Sequence, residues 1–196
     1  MPVSSLPLFP LSSVLFPGGT LSLRIFERRY LDLIRDCARD NTGFGVCLIL
    51  HGSEAGEPAI PAAIGTAARI TDFHTMEDGL LGIHATGGDR FHVVNTRVRD
   101  NGLIVGDVEY IASGEPVPIP PEYALLATIL ERVYECAGGD LARVERARFD
   151  DADWVGYRLA EALPLENDER QKLLSTTGAM QRLDQLMHYL PRFQRA

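Results

Sequence analysis

Residues 20–25 read Thr-Leu-Ser-Leu-Arg-Ile, with Leu21, Leu23 and Ile25 alternating against polar neighbours. A period of two predicts a half-buried strand. Residues 5–9 read as a strand too, and Phe16-Pro17-Gly18-Gly19 between them is turn chemistry, since proline presets one φ and glycine permits φ > 0. Then the period changes. Tyr30, Leu33, Ile34 and Cys37 fall at i, i+3, i+4 and i+7, one face of a helix, with Gly43 just past its expected end. Residues 44–50, FGVCLIL, are continuously apolar and read as a central strand.

A polar stretch rich in Gly, Glu and Pro follows from His51 to Pro61. Asp78-Gly79 then separates apolar-polar runs near 64–76 and 80–86, and Asn101-Gly102 separates 90–99 from 103–111. Such dipeptides between alternating runs are strong hairpin signals. The first part therefore predicts about seven strands and one helix, a compact β-barrel or strongly curved sheet. The proline-rich segment 115–122, EPVPIPPE, reads as a semi-rigid connector. Beyond it the pattern is helical. Tyr123, Leu126, Ala127, Leu130, Val133, Tyr134 and Ala137 form one stripe, closed by Gly138-Gly139. Asp150 or Asp151 can cap a helix running to Leu163, where Pro164 stops it. A further helix starts near Asn167. After Thr177, a candidate N-cap, Met180, Leu183, Met187 and Leu190 repeat at helical spacing. The expected fold class is α+β, with the sheet at 1–114, the connector at 115–121 and a bundle of about four helices at 122–196.

Composition and charge narrow the function. The net charge is -8, and Lys172 is the only lysine. An acidic chain disfavours broad attraction to nucleic acid or anionic membrane. A lysine base or Schiff base has one candidate, on a polar helical turn. No apolar run approaches the roughly 18 to 20 residues of a membrane helix. The N-terminus lacks a basic segment, so a cytoplasmic location is expected. Cys37, Cys47 and Cys136 lie far apart with no CxxC pair, which argues against disulfides or zinc and suits small buried hydrophobes. His74, His84 and His92 fall on adjacent predicted strands, but no carboxylate or thiol completes a ligand set, so no metal and no cofactor is expected.

Residues 6–34, LPLFPLSSVLFPGGTLSLRIFERRYLDLI, resemble the opening of the N-terminal domain of the Lon proteases. Ile64-Gly65-Thr66-Ala67, the Asp78-Gly79 turn, Gly88-Asp89-Arg90-Phe91, RLAEALPL (158–165) and RQKLLSTTGAMQRLDQL (170–186) continue the resemblance in the family's order. It implies a PUA-like β-domain joined to a helical bundle, and a member consisting of that domain alone. The motif residues Gly18, Glu27, Arg29, Tyr30, Gly65, Asp78, Gly79, Arg90 and Phe91 are read as structural. Glu27 suits a helix N-terminus, Arg29 pairs with an acid, and Tyr30 packs inward.

Neither a phosphate loop ending in Gly-Lys-Ser/Thr nor the G-x-S-x-G pattern occurs, and the sole lysine lies outside any match to the protease dyad of the family. The expectation is a non-catalytic binding module for exposed hydrophobic or unfolded polypeptide segments, or for a protein partner such as a protease or chaperone. Phe16, Pro17, Phe26, Tyr123 and Trp154 are the candidate contact residues, placed at a groove between the two parts. A homodimer is compatible with the sequence. The alternatives are a PUA-like RNA-binding module, for which only the Arg-rich stretch 143–149 speaks, and an unrecognised hydrolase with a cleft of perturbed titratable groups.

Overall fold

The chain divides into two units, Met1–Ser113 and Gly114–Ala196. The structure is a computed structural model describing residues 3–112, 114–139 and 141–193. Among the described residues, the first unit contains strands β1 (Ser4–Leu11), β2 (Thr20–Ile25), β3 (Phe44–His51), β4 (Ile60–Thr75), β5 (Leu81–Val98) and β6 (Ile104–Ile111), with helix α1 (Arg28–Asp40) after β2. The strand order is β2-β5-β4-β3-β1-β6, and β6 also pairs with β5, so the ladder curves back on itself. β1 and β3 run parallel, and the other pairs are antiparallel.

The sequence predicts seven strands here, and six are present. The runs at 80–86 and 90–99 are halves of one 18-residue strand, β5. Gly87-Gly88 does not end it. Instead the outer edge of β5 changes partner there, from β2 (Leu81–Thr86) to β6 (Arg90–Val98). A Cβ on Gly87 would sit 2.5 Å from the Phe16 carbonyl oxygen, so this position needs bare backbone against the 16–19 turn. That turn is type II: the Gly19 N–H donates to the Phe16 carbonyl at 3.0 Å, and Gly18 takes φ 72° behind Pro17. The Thr66 hydroxyl, fully buried, ties the same loop down by donating to the Leu15 carbonyl at 2.6 Å. Both hairpins fall where Asp78-Gly79 and Asn101-Gly102 place them. In each, only the glycine takes a positive φ, while the preceding Asp or Asn side chain accepts the following backbone N–H. α1 ends two residues earlier than Gly43 suggests: Asn41 adopts the left-handed conformation, and the Thr42 N–H closes the turn on the Cys37 carbonyl at 3.0 Å.

The helix face predicted from its period, Tyr30, Leu33, Ile34 and Cys37, packs into a core with Phe9, Ile25, Phe44 and Ile83. A second cluster centres on Phe91 with Leu6, Leu8, Cys47, Ile104 and Val108. The Phe91 ring occupies room left by two glycines. A Cβ on Gly45 would stand 2.6 Å from its tip, and so would a Cβ on Gly65. Cys37 and Cys47 are buried as expected of small hydrophobes, but Cys136 is exposed.

The second unit holds α2 (Ala124–Ala137), α3 (Ala152–Ala162), α4 (Asn167–Ser175) and α5 (Ala179–Tyr189). α3 packs against α2, α4 and α5. Asp151 is its N-cap, accepting from the N–H groups of Asp153 and Trp154. The proline-rich segment is stapled beside that cap, through Ile119 N–H to the Asp150 carbonyl and Ala152 N–H to the Val117 carbonyl. Gly178, not Thr177, caps α5. Of the expected stripe Leu183 and Leu190 are buried, while Met180 and Met187 are half-buried and Ala179, Arg182 and Leu186 take the buried face instead. On α2 the buried residues are Leu126, Leu130 and Tyr134, whereas Val133 and Ala137 are exposed.

Arg182 has no accessible surface. Its guanidinium donates to the Leu173 carbonyl (3.2 Å), the Thr176 carbonyl (2.6 Å) and the Asp153 carboxylate (2.5 Å), and it lies 3.9 Å over the Tyr157 ring. One planar fork thus joins α3, the end of α4 and α5.

Two stability outcomes follow from these contacts. Arg182→Ala strands two carbonyls and opens a cavity, so chemical denaturation is expected to show a loss on the order of 3 kcal/mol. Gly45→Ala should cost about 1–3 kcal/mol through overpacking. The neighbours of its new methyl are all side chains, so the Gly45→Ala/Phe91→Leu double variant should lose less than the sum of its singles.

Candidate functional site

β2 delivers Ile25 into the core and then must turn into α1 within two residues. The next side chain, Phe26, is left 58 % exposed, and Glu27 takes the extended N-cap position of the helix. Arg29, the second residue of α1, folds back under this corner. Its guanidinium donates to the Gly102 carbonyl and the Glu54 carbonyl, each at 3.3 Å, and pairs with the Glu27 carboxylate at 3.1 Å. Glu27 also accepts from the Gly56 N–H, and Glu54 from the Ser12 N–H at 2.6 Å. The polar stretch after β3 is therefore pinned against the start of α1 by charge-assisted bonds. Tyr30 lies flat on Phe9, ring centroids 3.9 Å apart. Burial holds its phenol above the ordinary tyrosine range, against the pull of Arg29.

These elements enclose a hollow of about 260 Å³. Phe9, Leu11, Leu23 and Tyr30 give it an apolar lining. Ser22, Arg24, Glu27 and Glu54 contribute polar atoms, and Phe26 stands among them. Each lining charge is already engaged: Glu27 with Arg29, Glu54 with Ser12, and Arg24 with Asp78. The hollow therefore offers apolar area and stacking surface, and its charged groups are each held by a partner: two in ion pairs, and Glu54 by a backbone N–H.

Among the five candidate contact residues, Phe26 is the one set in this hollow. Phe16 is a correction: it is fully buried and offers a ligand no surface, and its carbonyl lies close against Gly87. Pro17 is half-buried at the second position of that turn. In the second unit, the Tyr123 hydroxyl donates to the Asp184 carboxylate. Trp154 is half-buried and meets Tyr134 and Phe149 edge-on at 6.0 and 5.2 Å. Tyr134 and Phe149 form the apolar side of another hollow, about 210 Å³, with Glu131, Glu135 and Arg146 around it. Part of the Arg-rich stretch 143–149 thus faces carboxylates. The motif residues Arg90 and Phe91 are buried in the sheet.

The lining residues Phe9, Leu11, Leu23 and Glu54 were not singled out from the sequence. Alternation marks Leu23 as inward-facing, but only the pairing of the strands shows that it borders a hollow. His74 and His84 stack at 4.7 Å, with Ser22 hydrogen-bonded to His84. His92 lies opposite Ile64, further along β5. Among the described residues, no three His, Cys, Asp or Glu side chains gather as metal ligands, and no helix is long and apolar enough to cross a membrane. One carboxylate is strongly shifted. Glu161 on α3 pairs with Arg158 at 2.6 Å, yet burial outweighs Arg158 and Arg170 and pushes it up to about 7.

Residues 5–192 match the family model described as the ATP-dependent protease La (LON) substrate-binding domain. A crystal structure of a Lon N-terminal domain protein from Xanthomonas campestris is 48 % identical, with a TM-score of 0.81 over 95 % of this chain and 98 % of that one. The N-terminal domain of a Mycobacterium avium complex Lon protease shares the fold at 14 % identity, with a TM-score of 0.66 over 94 % of this chain and 97 % of that one. Among curated proteins, Lon protease from Anaeromyxobacter dehalogenans is 27 % identical over 95 % of this chain and 23 % of its own length. Lon protease 2 from Myxococcus xanthus is 35 % identical over 45 % of this chain and 11 % of its own. The chain thus spans less than a quarter of these two proteases.

The raised Glu161 has a measurable consequence. The folded state holds this proton more tightly than the unfolded chain, whose glutamate carboxyl titrates near 4.5. Its contribution to stability is fully present below about 4.5 and is lost as pH rises through about 7. Denaturation midpoints between pH 4.5 and 8 should fall more steeply in the wild type than in Glu161→Gln.

Proposed function

The chain belongs to the Lon substrate-binding domain family, and on that premise we infer that it is a non-catalytic module binding exposed apolar segments of unfolded polypeptides at the hollow beside Phe26. One observation carries this reading: a large aromatic side chain, 58 % exposed, stands at a hollow lined on its apolar side by Phe9, Leu11, Leu23 and Tyr30, with Arg24, Glu27 and Glu54 each held by a partner. Leaving an aromatic in water forgoes its burial, worth about 1.5–3 kcal/mol, and a partner that covers it recovers that energy. Aromatic anchors in desolvated pockets are also where binding energy concentrates. The polypeptide class of the ligand comes from the family, whose members bind substrate chains. Cleavage is a property of the whole proteases and is not assigned to these residues.

The test is binding of a labelled, reduced and carboxymethylated polypeptide, which cannot fold, followed by fluorescence anisotropy. Phe26→Ser should weaken binding about tenfold, and Val98→Ser, an exposed apolar residue at the far end of β5, should leave it unchanged. Affinity should persist when salt is raised to about 1 M, because apolar contact is not screened as ion pairs are. Equal affinities for the wild type and Phe26→Ser, or binding abolished by salt, would refute the assignment.

A further inference from the structure

The backbone beside the hollow is as informative as its side chains. Among the described residues, β2 has one neighbour, β5, and their register runs without a shift from Thr20↔Thr86 to Ile25↔Leu81. In a regular antiparallel strand, alternate residues direct their N–H and C=O groups to the neighbour and the rest direct them away. Half of the peptide groups of β2 therefore point away from β5. Natural sheets usually blunt such an edge with proline, charged side chains, a bulge or a covering element. β2 carries no proline, no lysine and no bulge, and its one charge, Arg24, is tied to Asp78, while Thr20 and Ser22 along it are exposed.

The hollow lies along this strand, with Ser22, Leu23 and Arg24 in its wall. Phe9 and Leu11, opposite, come from the half of β1 that pairs with β3. On its other side β1 pairs with β6 through Ser4–Pro7 alone, so that edge of Phe9 and Leu11 also has no strand beside it among the described residues. An intact, unblunted edge next to a small apolar hollow selects the form of the ligand. A helix satisfies its own peptide groups and brings nothing to the edge. An extended chain brings N–H and C=O groups at strand spacing and sends every second side chain to the same face. At about 260 Å³, the hollow is below the roughly 300 Å³ of sites for whole small ligands, and suits one or two large side chains.

We propose that an extended segment of unfolded polypeptide adds to the free edge of β2 as a further strand, with alternate large apolar side chains lowered into the hollow. This rests on the binding reading above and specifies its mode. Main-chain bonds supply affinity that tolerates varied sequences, and the hollow supplies the preference for apolar residues at every second position.

The experiment uses the full chain and synthetic peptides of about eight residues with alternating Phe/Leu and Ser. In one peptide the N–H groups of the odd residues are methylated, in the other those of the even residues. Methylation leaves the side chains in place and removes donors from one edge only. One methylated peptide should bind at least about tenfold more weakly than its unmethylated parent, and the other within about threefold. Alternate amides among Thr20–Ile25 should slow in hydrogen exchange when the parent peptide is added. Parent binding with both methylated forms equivalent and β2 amides unchanged overturns strand addition while leaving the hollow as a binding site. Protection of β2 that grows with protein concentration alone, together with a dimer mass, assigns the edge to a second copy and overturns the proposal as well. Failure of the parent peptide to bind while unfolded polypeptide still binds through Phe26 likewise refutes an added strand.

Discussion

β5 has two edges and three partners, and the first unit is organised by that constraint. β4 takes one edge from Leu81 to His92. The other edge is divided, with β2 on Leu81–Thr86 and β6 on Arg90–Val98. The division falls at Gly87-Gly88, where the absence of a Cβ lets the 16–19 turn approach the strand. Because β6 leaves β5 to pair with β1, the sheet curves back on itself. Because β2 stops at the division, it has no such onward partner. The free edge and the hollow beside it are consequences of how one long strand shares its hydrogen bonds.

The corner after β2 serves stability and surface at once. Arg29 is buried and binds two carbonyls and one carboxylate, so a change there would release the 52–58 loop and the start of α1 together. Buried charges in such networks are costly to expose singly. Phe26 differs, since it is largely exposed and makes little use of the core. Substitutions at Glu27, Arg29 or Tyr30 would confound folding with binding, whereas Phe26 separates them. In the second unit the equivalent tie is Arg182, which satisfies carbonyls at the end of α4 while pairing with Asp153 on α3. Its planar fork sets the spacing of three helices in a way that a lysine could not reproduce.

The chemistry in view is that of holding a ligand. Glu161, the carboxylate most perturbed by burial, is bonded to Arg158 on its own helix, which accounts for it as a structural pair. The stacked imidazoles of His74 and His84 lie on the sheet with Ser22. The hollow in the second unit sets Arg146 among Glu131 and Glu135, so a basic stripe does not develop there.

What the sequence determined on its own was whatever depends on near neighbours in the chain. The alternation of TLSLRI made β2, the 3.6-residue period made α1 with its buried face, Pro17-Gly18 made a type II turn, and Asp78-Gly79 and Asn101-Gly102 placed both hairpins. The family blocks, quoted residue by residue, carried the fold class across both units. Tertiary structure decided what depends on residues far apart. Gly87-Gly88 reads as a strand break in the sequence, yet β5 runs through it because β4 pairs with both sides. Phe16 reads as a candidate contact and is fully buried, with its carbonyl against Gly87 some seventy residues away. On α5 the predicted Leu183 and Leu190 are buried, but Met180 and Met187 give way to Ala179, Leu186 and Arg182, a charged residue that pattern reading assigns to the surface and that found three oxygens and an aromatic face in the interior. Local periodicity is fixed by dihedral preferences along the chain, whereas burial and edge exposure are fixed by which segments compete for the same hydrogen bonds and the same space.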